Sequence, residues 1–317
     1  MRSYIYRRIL LIIPTVFIAS LIVFIVIRSI PGSVVDTIVS SYEYITHDDI
    51  AAVRAELGLD KPVLTQYFTW IDQIIIHGNL GTSMLKKTPV IDDIKARWPV
   101  TFELGLMGII FALLISLPIG IYSAIRQDTI GDYFARSFAI LCIAVPGFWL
   151  GTMVIVFPSI WWGYMPPIML IKFNVNPLGN LEMFIIPALV LGMGMAGQTM
   201  RMTRTMMLEV LRQDYIRTAW SKGLRERVVV LRHALKNALI PVITITGQQI
   251  GGILAGTVII ENIFQLPGMG QLITNATTQR DYTVVSSVLF IFAIVMVVAN
   301  LFVDVTYSFL DPRVHYK

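Results

Sequence analysis

Residues 214–241 read DYIRTAWSKGLRERVVVLRHALKNALIP, a basic stretch between two apolar runs that are each long enough to cross a membrane. From Arg201 to Lys236 the chain has nine lysines and arginines and three acids. Short loops rich in lysine and arginine stay on the cytoplasmic side of a membrane. The stretch is therefore predicted to be a cytoplasmic loop of a membrane protein.

The same stretch contains a short predicted helix. Four apolar positions fall at helical spacing and indicate an amphipathic helix that ends at Gly223. These positions are Leu211, Tyr215, Ala219 and Trp220. A short helix that a membrane protein presents to the cytosol is suited to docking a partner.

The composition indicates an integral membrane protein. Of the 317 residues, 56% are hydrophobic and 14% charged, and the mean hydropathy is +0.71. Soluble domains have about 25% charged residues. The net charge of +5 lies beside apolar runs, where anionic lipid and membrane topology account for it, so it does not indicate nucleic-acid binding. The single cysteine, Cys142, excludes an intrachain disulfide.

Six apolar runs reach the roughly 20 residues that a helix needs to cross a bilayer. No small-residue cleavage site follows the first run, so it is predicted to remain as a membrane span rather than to be removed as a signal peptide. The fold class is thus all-α, with six transmembrane helices. The predicted spans are 9–30, 100–125, 134–157, 184–200, 238–264 and 284–310.

The flanking charges orient these spans. Arg2, Arg7 and Arg8 precede the first span, which predicts a cytoplasmic N-terminus, and six crossings return the C-terminus to the cytoplasm. The predicted domains are the N-terminus with the first span (1–30), an extracytoplasmic loop domain (31–99), a five-helix core (100–310) that includes the cytoplasmic loop 201–237, and a cytoplasmic tail (311–317).

The long outer loop is predicted to be a small domain, because helical patterns at 48–57 and 63–77 are separated by glycine and proline. Its aromatic residues are predicted to pack on the membrane face. They are Tyr67, Phe68 and Trp70.

The sequence contains no pattern of a nucleotide-binding loop, a zinc protease, a nucleophile elbow or a Cys/His metal site. We therefore expect no catalytic residues, no metal site and no cofactor bound by this chain. Amides in the fifth span either bond across helices or line a polar route, and the Pro/Gly-rich turn after that span is expected near the outer mouth of a pathway. The pathway candidates are Gln248, Gln249, Glu261, Pro267 and Gly268.

An ordered set of short motifs along nearly the whole chain resembles the first of the two permease subunits of bacterial ABC importers for oligopeptides, dipeptides or nickel. Few of these motifs are specific alone, but their order is. They are YRRILLIIP from Tyr6, PGS from Pro31, LGLDKPV from Leu57, GNLGTS from Gly78, WPVT from Trp98, the stretch 214–241, ENIFQLPGMGQL from Glu261, RDYTVV from Arg280, NLFVD from Asn300 and LDPR from Leu310.

The resemblance implies a type I ABC importer permease fold with a cytoplasmic coupling helix of the form E-A-A-x-x-x-G. Here the motif reads RTAWSKG from Arg217, so Ala219 and Gly223 match and the glutamate is replaced. The resemblance further implies a second homologous permease, two ATPase subunits that use ATP and Mg, an extracytoplasmic solute-binding protein and membrane lipid as partners. The residues expected to couple to the ATPase are Asp214, Tyr215, Arg217, Thr218, Ala219, Lys222, Gly223 and His233.

The function expected from this resemblance is ATP-driven peptide import across a bacterial cell membrane. A permease for nickel or another small solute is an alternative. An ion-coupled secondary transporter would be expected to show broken helices in paired halves and buried charges, neither of which is evident in the sequence. A membrane enzyme would need a polar catalytic cluster, which is not visible either.

Overall fold

The computed structural model describes residues 2–29, 55, 58–163, 165, 167 and 169–310, with side chains described from residue 8 to residue 306. Apart from one isolated bridge between Thr82 and Pro89, the secondary structure of these residues is helical. The predicted helix at 48–57 lies almost entirely outside the described residues. The helices are α1 (Arg2–Ser29), α2 (Val63–His77), α3 (Val90–Ile125), α4 (Ile130–Ala144), α5 (Gly147–Trp162), α6 (Pro177–Leu211), α7 (Asp214–Ser221), α8 (Glu226–Phe264), α9 (Met269–Thr278) and α10 (Tyr282–Leu310).

Within the described residues, five helices are long and apolar enough to cross a membrane, namely α1, α3, α6, α8 and α10. The pair α4 and α5 makes a sixth span when the two are taken together. The six predicted spans are therefore confirmed when α4 and α5 are counted together as one span. The real helices are longer than predicted: α3 begins at Val90, and α6 continues to Leu211, inside the segment predicted as a loop.

The third predicted span, 134–157, is wrong as a single helix, because α4 and α5 meet at an angle of 95°. The break lies at Val145 and Pro146. The ring of a proline clashes with a helical conformation of the preceding residue. Val145 accordingly has φ −81° and ψ 120°, and α5 starts again at Gly147 after the extended Pro146.

The chain forms two compact units. The first unit comprises Met1–Ile5, Phe102–Leu266 and Ala299–Lys317. In it, α6 packs against both α8 and α4. Small residues permit these close approaches: the Cβ of an alanine in place of Gly197 would lie 2.8 Å from the carbonyl oxygen of Ala139 in α4. Backbones of membrane helices approach this closely where small residues form the interface.

The second unit comprises Tyr6–Thr101 and Pro267–Val298. Its core includes Tyr67 of α2, which is 1% exposed and lies 2.9 Å from the hydroxyl of Ser20 in α1. The prediction that the outer-loop aromatics face the membrane is therefore wrong for Tyr67. Phe68 is 57% exposed and Trp70 is half-buried, since successive residues of one helix point in different directions.

Candidate functional site

The short helix α7 joins the long helices α6 and α8 and contains most of the residues expected to contact an ATPase. It ends at Ser221, and Lys222 is its C-terminal cap. Gly223 follows with φ +71°, a left-handed conformation that glycine adopts without the steric cost of a Cβ atom. The helix end predicted from Gly223 is thus present in the structure.

The helix is fixed to the rest of the chain by Ile216 and Ala219, which are 0% and 6% exposed. Both belong to a cluster formed with buried residues of α3, α6 and α8. The small side chain of Ala219 lets α7 lie close to its neighbours. The other members of the buried cluster are Ala124, Met207, Val229, Val230, Ala234 and Ala238.

The apolar face predicted for this helix is wrong for Tyr215 and Trp220, which are 43% and 45% exposed. Leu211 packs against the buried cluster as expected, but it belongs to α6. Ile216, three residues before Ala219, is the main buried anchor and was not singled out from the sequence. This eight-residue helix carries apolar side chains on both of its faces, and its contacts with the neighbouring helices decide which face is buried.

The opposite face of α7 is polar and exposed. The side chains of Asp214 and Arg217 are 96% and 74% exposed, and Nη1 of Arg217 lies 3.3 Å from Oδ1 of Asp214. Thr218 is exposed, but its hydroxyl donates to the carbonyl of Asp214 at 3.0 Å. Lys222 and Gly223 are exposed at the end of the helix. This face therefore offers charged and aromatic groups while the buried face holds the helix in place.

One further contact sets the position of α7 relative to the start of α8. Nδ2 of Asn237 donates to the hydroxyl oxygen of Tyr215 at 2.7 Å. His233 lies half-buried in a π-helical segment, Val229–Ala234, in which the backbone amide of Leu235 donates to the carbonyl of Val230. The structure thus places His233 in α8 and not on the exposed face of α7.

A buried ion pair near this cluster was not predicted. Asp132, at the start of α4, is completely buried and accepts from Nε of Arg204 at 2.9 Å and from Nη2 at 2.8 Å. The hydroxyl of Ser123 in α3 also donates to Asp132, and the backbone amide of Asp128 donates at 3.0 Å. The available signals were an arginine just after an apolar run and an acid three residues after the helix cap Thr129.

The ion pair and the buried cluster that holds α7 both lie next to the turn between α3 and α4. Ala124, at the end of α3, is a member of the cluster that buries Ile216. Arg126, in the turn itself, lies 3.8 Å from Glu226 at the start of α8, although both side chains are about half exposed. The structure therefore connects α7, α8 and the α3–α4 turn through adjoining contacts within one unit.

The pathway candidates on α8 do not form one cluster. Nε2 of Gln249 donates to Oε1 of Gln198 in α6 at 3.0 Å. Gln249 therefore forms a hydrogen bond across helices, which is one of the two roles that the sequence allowed for the amides of this span. Gln248 is exposed. Glu261 is completely buried, and twelve residues of helix place it about 18 Å from Gln249 along α8.

In the turn after α8 the left-handed residue is Gln265, with φ 54°, and not one of the glycines. Gly268 has an extended backbone, φ −99° and ψ −170°, directly before α9. Gly268 is buried and Pro267 is half-buried. These two residues lie in the second unit, and each is positioned by the start of α9.

The described residues contain no group of three His, Cys, Asp or Glu side chains that could hold a metal ion. A cavity of about 320 Å³ lies in the first unit, at the bend between α4 and α5. Its lining is mainly apolar and includes Pro146, Leu191, Gly194 and Ile259. The bend therefore leaves space beside α6 and α8, and this space carries none of the predicted site residues.

Comparison with known proteins matches the whole chain to transport permeases. A family described as binding-protein-dependent transport system inner membrane component matches residues 116–316, and its N-terminal counterpart matches residues 1–105. The dipeptide transport system permease protein DppB of Escherichia coli (strain K12) is 37% identical over 340 residues, covering 100% of both chains. The oligopeptide transport system permease protein AppB of Bacillus subtilis (strain 168) is 38% identical over 320 residues, again covering 100% of both.

Solved structures match the fold. A permease chain of the MetNI methionine ABC transporter, in an inward-facing conformation, superposes with a TM-score of 0.56 and 15% identity, covering 69% of this chain and 96% of that one. At this identity the likeness concerns the fold alone. Together with the family matches, it shows that the chain belongs to the inner-membrane components of binding-protein-dependent transport systems and has an ABC importer permease fold.

Proposed function

We propose that this chain is the membrane-spanning permease subunit of an ATP-driven peptide importer and forms half of its translocation pathway. The observation that carries the proposal is the full-length similarity, at 35–38% identity, to proteins named as dipeptide, oligopeptide and peptide transport permeases. The family consists of transport subunits, so the chain itself performs no catalysis. Nickel or another small solute is the alternative cargo.

The chain works with partners that supply energy and substrate. A second homologous permease completes the pathway, two ATPase subunits use ATP and Mg, and an extracytoplasmic protein delivers the solute. The N- and C-termini lie in the cytoplasm of a bacterial cell, and residues 31–99 lie outside the membrane on the other side. This orientation follows from the arginines in the first turns of α1 and from the basic residues around α7.

Helix α7 is the part that transmits movement from the ATPase. Its buried face is anchored by Ile216 and Ala219, while Asp214, Arg217 and Trp220 remain accessible to a partner. A helix held on one side and charged on the other can transmit a displacement because its own shape does not change. When the ATPase subunits close on ATP, α7 would move and bias the spans between inward- and outward-facing arrangements, a rigid-body type of transition.

The test is peptide uptake by proteoliposomes that contain the complete complex, comparing the unchanged protein with Gly223→Pro. Proline cannot adopt φ +71° and removes the amide that donates to the carbonyl of Trp220 at 2.9 Å. We expect uptake to be lost while the complex still assembles. Gly163→Pro is the matched control, because Gly163 ends α5 with φ +63° and is not part of the α7 region.

The same vesicles separate the rival functions. Equal uptake in Gly223→Pro and the unchanged protein, or equal loss in both proline variants, would contradict the role of α7. Uptake by this chain alone under a proton or sodium gradient, without ATP, would overturn the importer and favour a secondary transporter. ATP-driven uptake of nickel that excess dipeptide does not inhibit would assign the alternative cargo.

A further inference from the structure

A polar cavity of about 200 Å³ lies in the second unit, between the end of α1, helix α2 and the first turns of α10. Two cationic side chains, Arg28 and Lys61, line it, and none of the described residues that line it is acidic. Hydroxyl groups of Thr283 and Ser286 add donors from α10. The cavity therefore has the charge and the hydrogen-bonding groups to attract an anion.

Arg28 is held in place without a carboxylate partner among the described residues. Its guanidinium lies 5.2 Å from the centre of the Phe24 ring and 5.7 Å from that of Tyr282. These ring contacts fix the direction of the side chain but leave its N–H groups without an anionic acceptor. A half-buried guanidinium of this kind is suited to bind an anion from outside the chain.

Trp70, which also lines the cavity, provides a second indication that a ligand binds there. Its indole Nε1 is buried and has no acceptor among the described residues. The ring packs against Phe24 at 5.6 Å and Phe290 at 5.5 Å, so a rotation that would bring the N–H to solvent is obstructed. Because leaving a buried donor unpaired costs free energy, a ligand that supplies an acceptor here would be stabilising.

Gln66, one turn before Trp70 on the same face of α2, indicates what else the ligand contains. Nε2 of Gln66 donates to the carbonyl of Lys61 at 2.7 Å, while its Oε1 is buried without a donor among the described residues. A bare phosphate offers mainly acceptors. A phospholipid headgroup combines a phosphate with a hydroxyl or ammonium donor, which matches both the cations and the amide oxygen.

The surroundings of the cavity favour a lipid over a free phosphate. Arg28 lies at the end of α1, a span whose Ile25 and Val26 are 45% and 55% exposed. Helix α2 exposes Leu64 and Phe68, which are four residues apart and share one face. The cationic cavity thus lies at the end of a membrane span, the level at which headgroups lie, and the two helices that line it also carry exposed apolar side chains.

We propose that this cavity binds the phosphate of a phospholipid headgroup, with Arg28, Lys61 and the Trp70 N–H as its donors. In the proposed orientation the lipid belongs to the outer leaflet. Its acyl chains would lie against the exposed apolar side chains of α1. The bound headgroup would join α1, α2 and α10 within the second unit.

The test measures lipid binding to the purified, delipidated complex by native mass spectrometry and by the midpoint of thermal unfolding. The probes are phosphatidylglycerol, phosphatidylethanolamine, diacylglycerol without a phosphate, and inorganic phosphate. We expect saturable binding of the two phospholipids but not of diacylglycerol. Arg28→Gln with Lys61→Gln should weaken phospholipid binding about tenfold or more, since two charged partners are lost.

The control is Lys95→Gln with Arg280→Gln, which removes the same charge from exposed positions of this unit outside the cavity. Trp70→Phe keeps the ring packing and deletes only the N–H, so it should weaken binding several-fold without lowering the lipid-free unfolding midpoint. Equal binding by the cavity variant and the control, or binding of diacylglycerol as tight as that of the phospholipids, would overturn the proposal. Stabilisation by inorganic phosphate equal to that by phospholipid would assign the cavity to free phosphate and overturn the lipid assignment.

Discussion

Arg204 of α6 binds Asp132 of α4 through two hydrogen bonds, from Nε at 2.9 Å and from Nη2 at 2.8 Å. The carboxylate is completely buried, and the arginine side chain is 18% exposed. A planar guanidinium that meets a carboxylate in this two-pronged geometry fixes both distance and orientation. The pair therefore fixes the orientation of α4 relative to α6 beside the α3–α4 turn. The last residues of α3, just before this turn, also help to bury α7.

Arg204→Ala should strongly destabilise the first unit, because the buried Asp132 would lose its two hydrogen bonds from Arg204 and keep only the longer ion pair with Arg136, at 3.6 Å. Breaking a buried pair in this way costs about 3–5 kcal/mol. The measurement is the thermal unfolding midpoint of the detergent-purified complex. Arg201→Ala on the same helix is the control, since Arg201 is exposed and surface changes cost roughly 0.5 kcal/mol or less.

Asp132→Leu combined with Arg204→Met should recover much of this loss, because replacing both members of a buried pair by apolar groups is often neutral. Similar unfolding midpoints for Arg204→Ala and Arg201→Ala would show that the pair contributes little to stability. If the double variant is stable but uptake per ATP hydrolysed falls, the pair acts in coupling as well as in folding.

Ile216→Ala should weaken the packing of α7 against the buried cluster that holds it. Ile216 is completely buried, and truncating a buried isoleucine to alanine costs about 2–5 kcal/mol. Because the rest of the complex is unchanged, ATP hydrolysis should continue while peptide uptake falls. The measurement is the ratio of peptide transported to ATP hydrolysed in proteoliposomes.

Trp220→Ala is the matched comparison on the exposed face of the same helix. Its side chain is 45% exposed, so the unfolding midpoint of the isolated permease should hardly change. If a partner docks on this face, assembly with the ATPase should weaken nonetheless. A normal transport ratio in Ile216→Ala would contradict the proposed role of the buried face.

The apolar runs and the helix ends were predictable because both depend on local chemistry. Gly223 ends α7 through its own left-handed conformation, which no neighbour has to supply. The break at Pro146 was not predictable in the same way. Pro187 and Pro241 lie inside α6 and α8 without ending them, so a proline alone does not decide whether a membrane helix breaks.

The contacts that position α7 could not be predicted from the sequence, because they join distant parts of the chain. Asp132 and Arg204 are 72 positions apart, and no periodic pattern relates them. Whether α7 would bury Ile216 or the neighbouring Tyr215 depended on the residues of α6 and α8 that surround it. Sequence reasoning thus located the short helix α7 but not its orientation.

Gly192→Ala should disrupt the packing of α6 against α3. A Cβ atom at this position would clash with the backbone carbonyl oxygen of Gly108, which cannot move aside as a flexible side chain can. Overpacking of this kind costs about 1–3 kcal/mol. The expected result is a lower unfolding midpoint and a lower yield of assembled complex.

Gly194→Ala, two positions along the same helix, is the control because a Cβ there has no neighbour within 4 Å. Alanine also favours the helix over glycine by about 1 kcal/mol. This variant should therefore be as stable as the unchanged protein or slightly more so. Equal destabilisation by the two alanines would indicate that helix α6 does not approach α3 as closely as described.

Asp281→Ala should loosen the start of α10 in the second unit. Asp281 is 3% exposed and accepts from the hydroxyl of Ser83 at 2.5 Å and from the backbone amides of Met84 and Val284, each at 3.3 Å. Removing the carboxylate leaves these buried donors unpaired, at about 1–3 kcal/mol for each one. Hydrogen exchange should therefore accelerate at the amides of Met84 and Val284.

The effect of Asp281→Ala should remain local, because the carboxylate of Asp281 bonds only residues of its own unit among those described. Amides that exchange slowly in α6 should keep their rates. Asp72→Ala on α2 removes an exposed carboxylate from the same unit and should leave both amides unchanged. Unchanged exchange at Met84 in Asp281→Ala would mean that Asp281 caps α10 alone and does not connect it to the segment around Ser83.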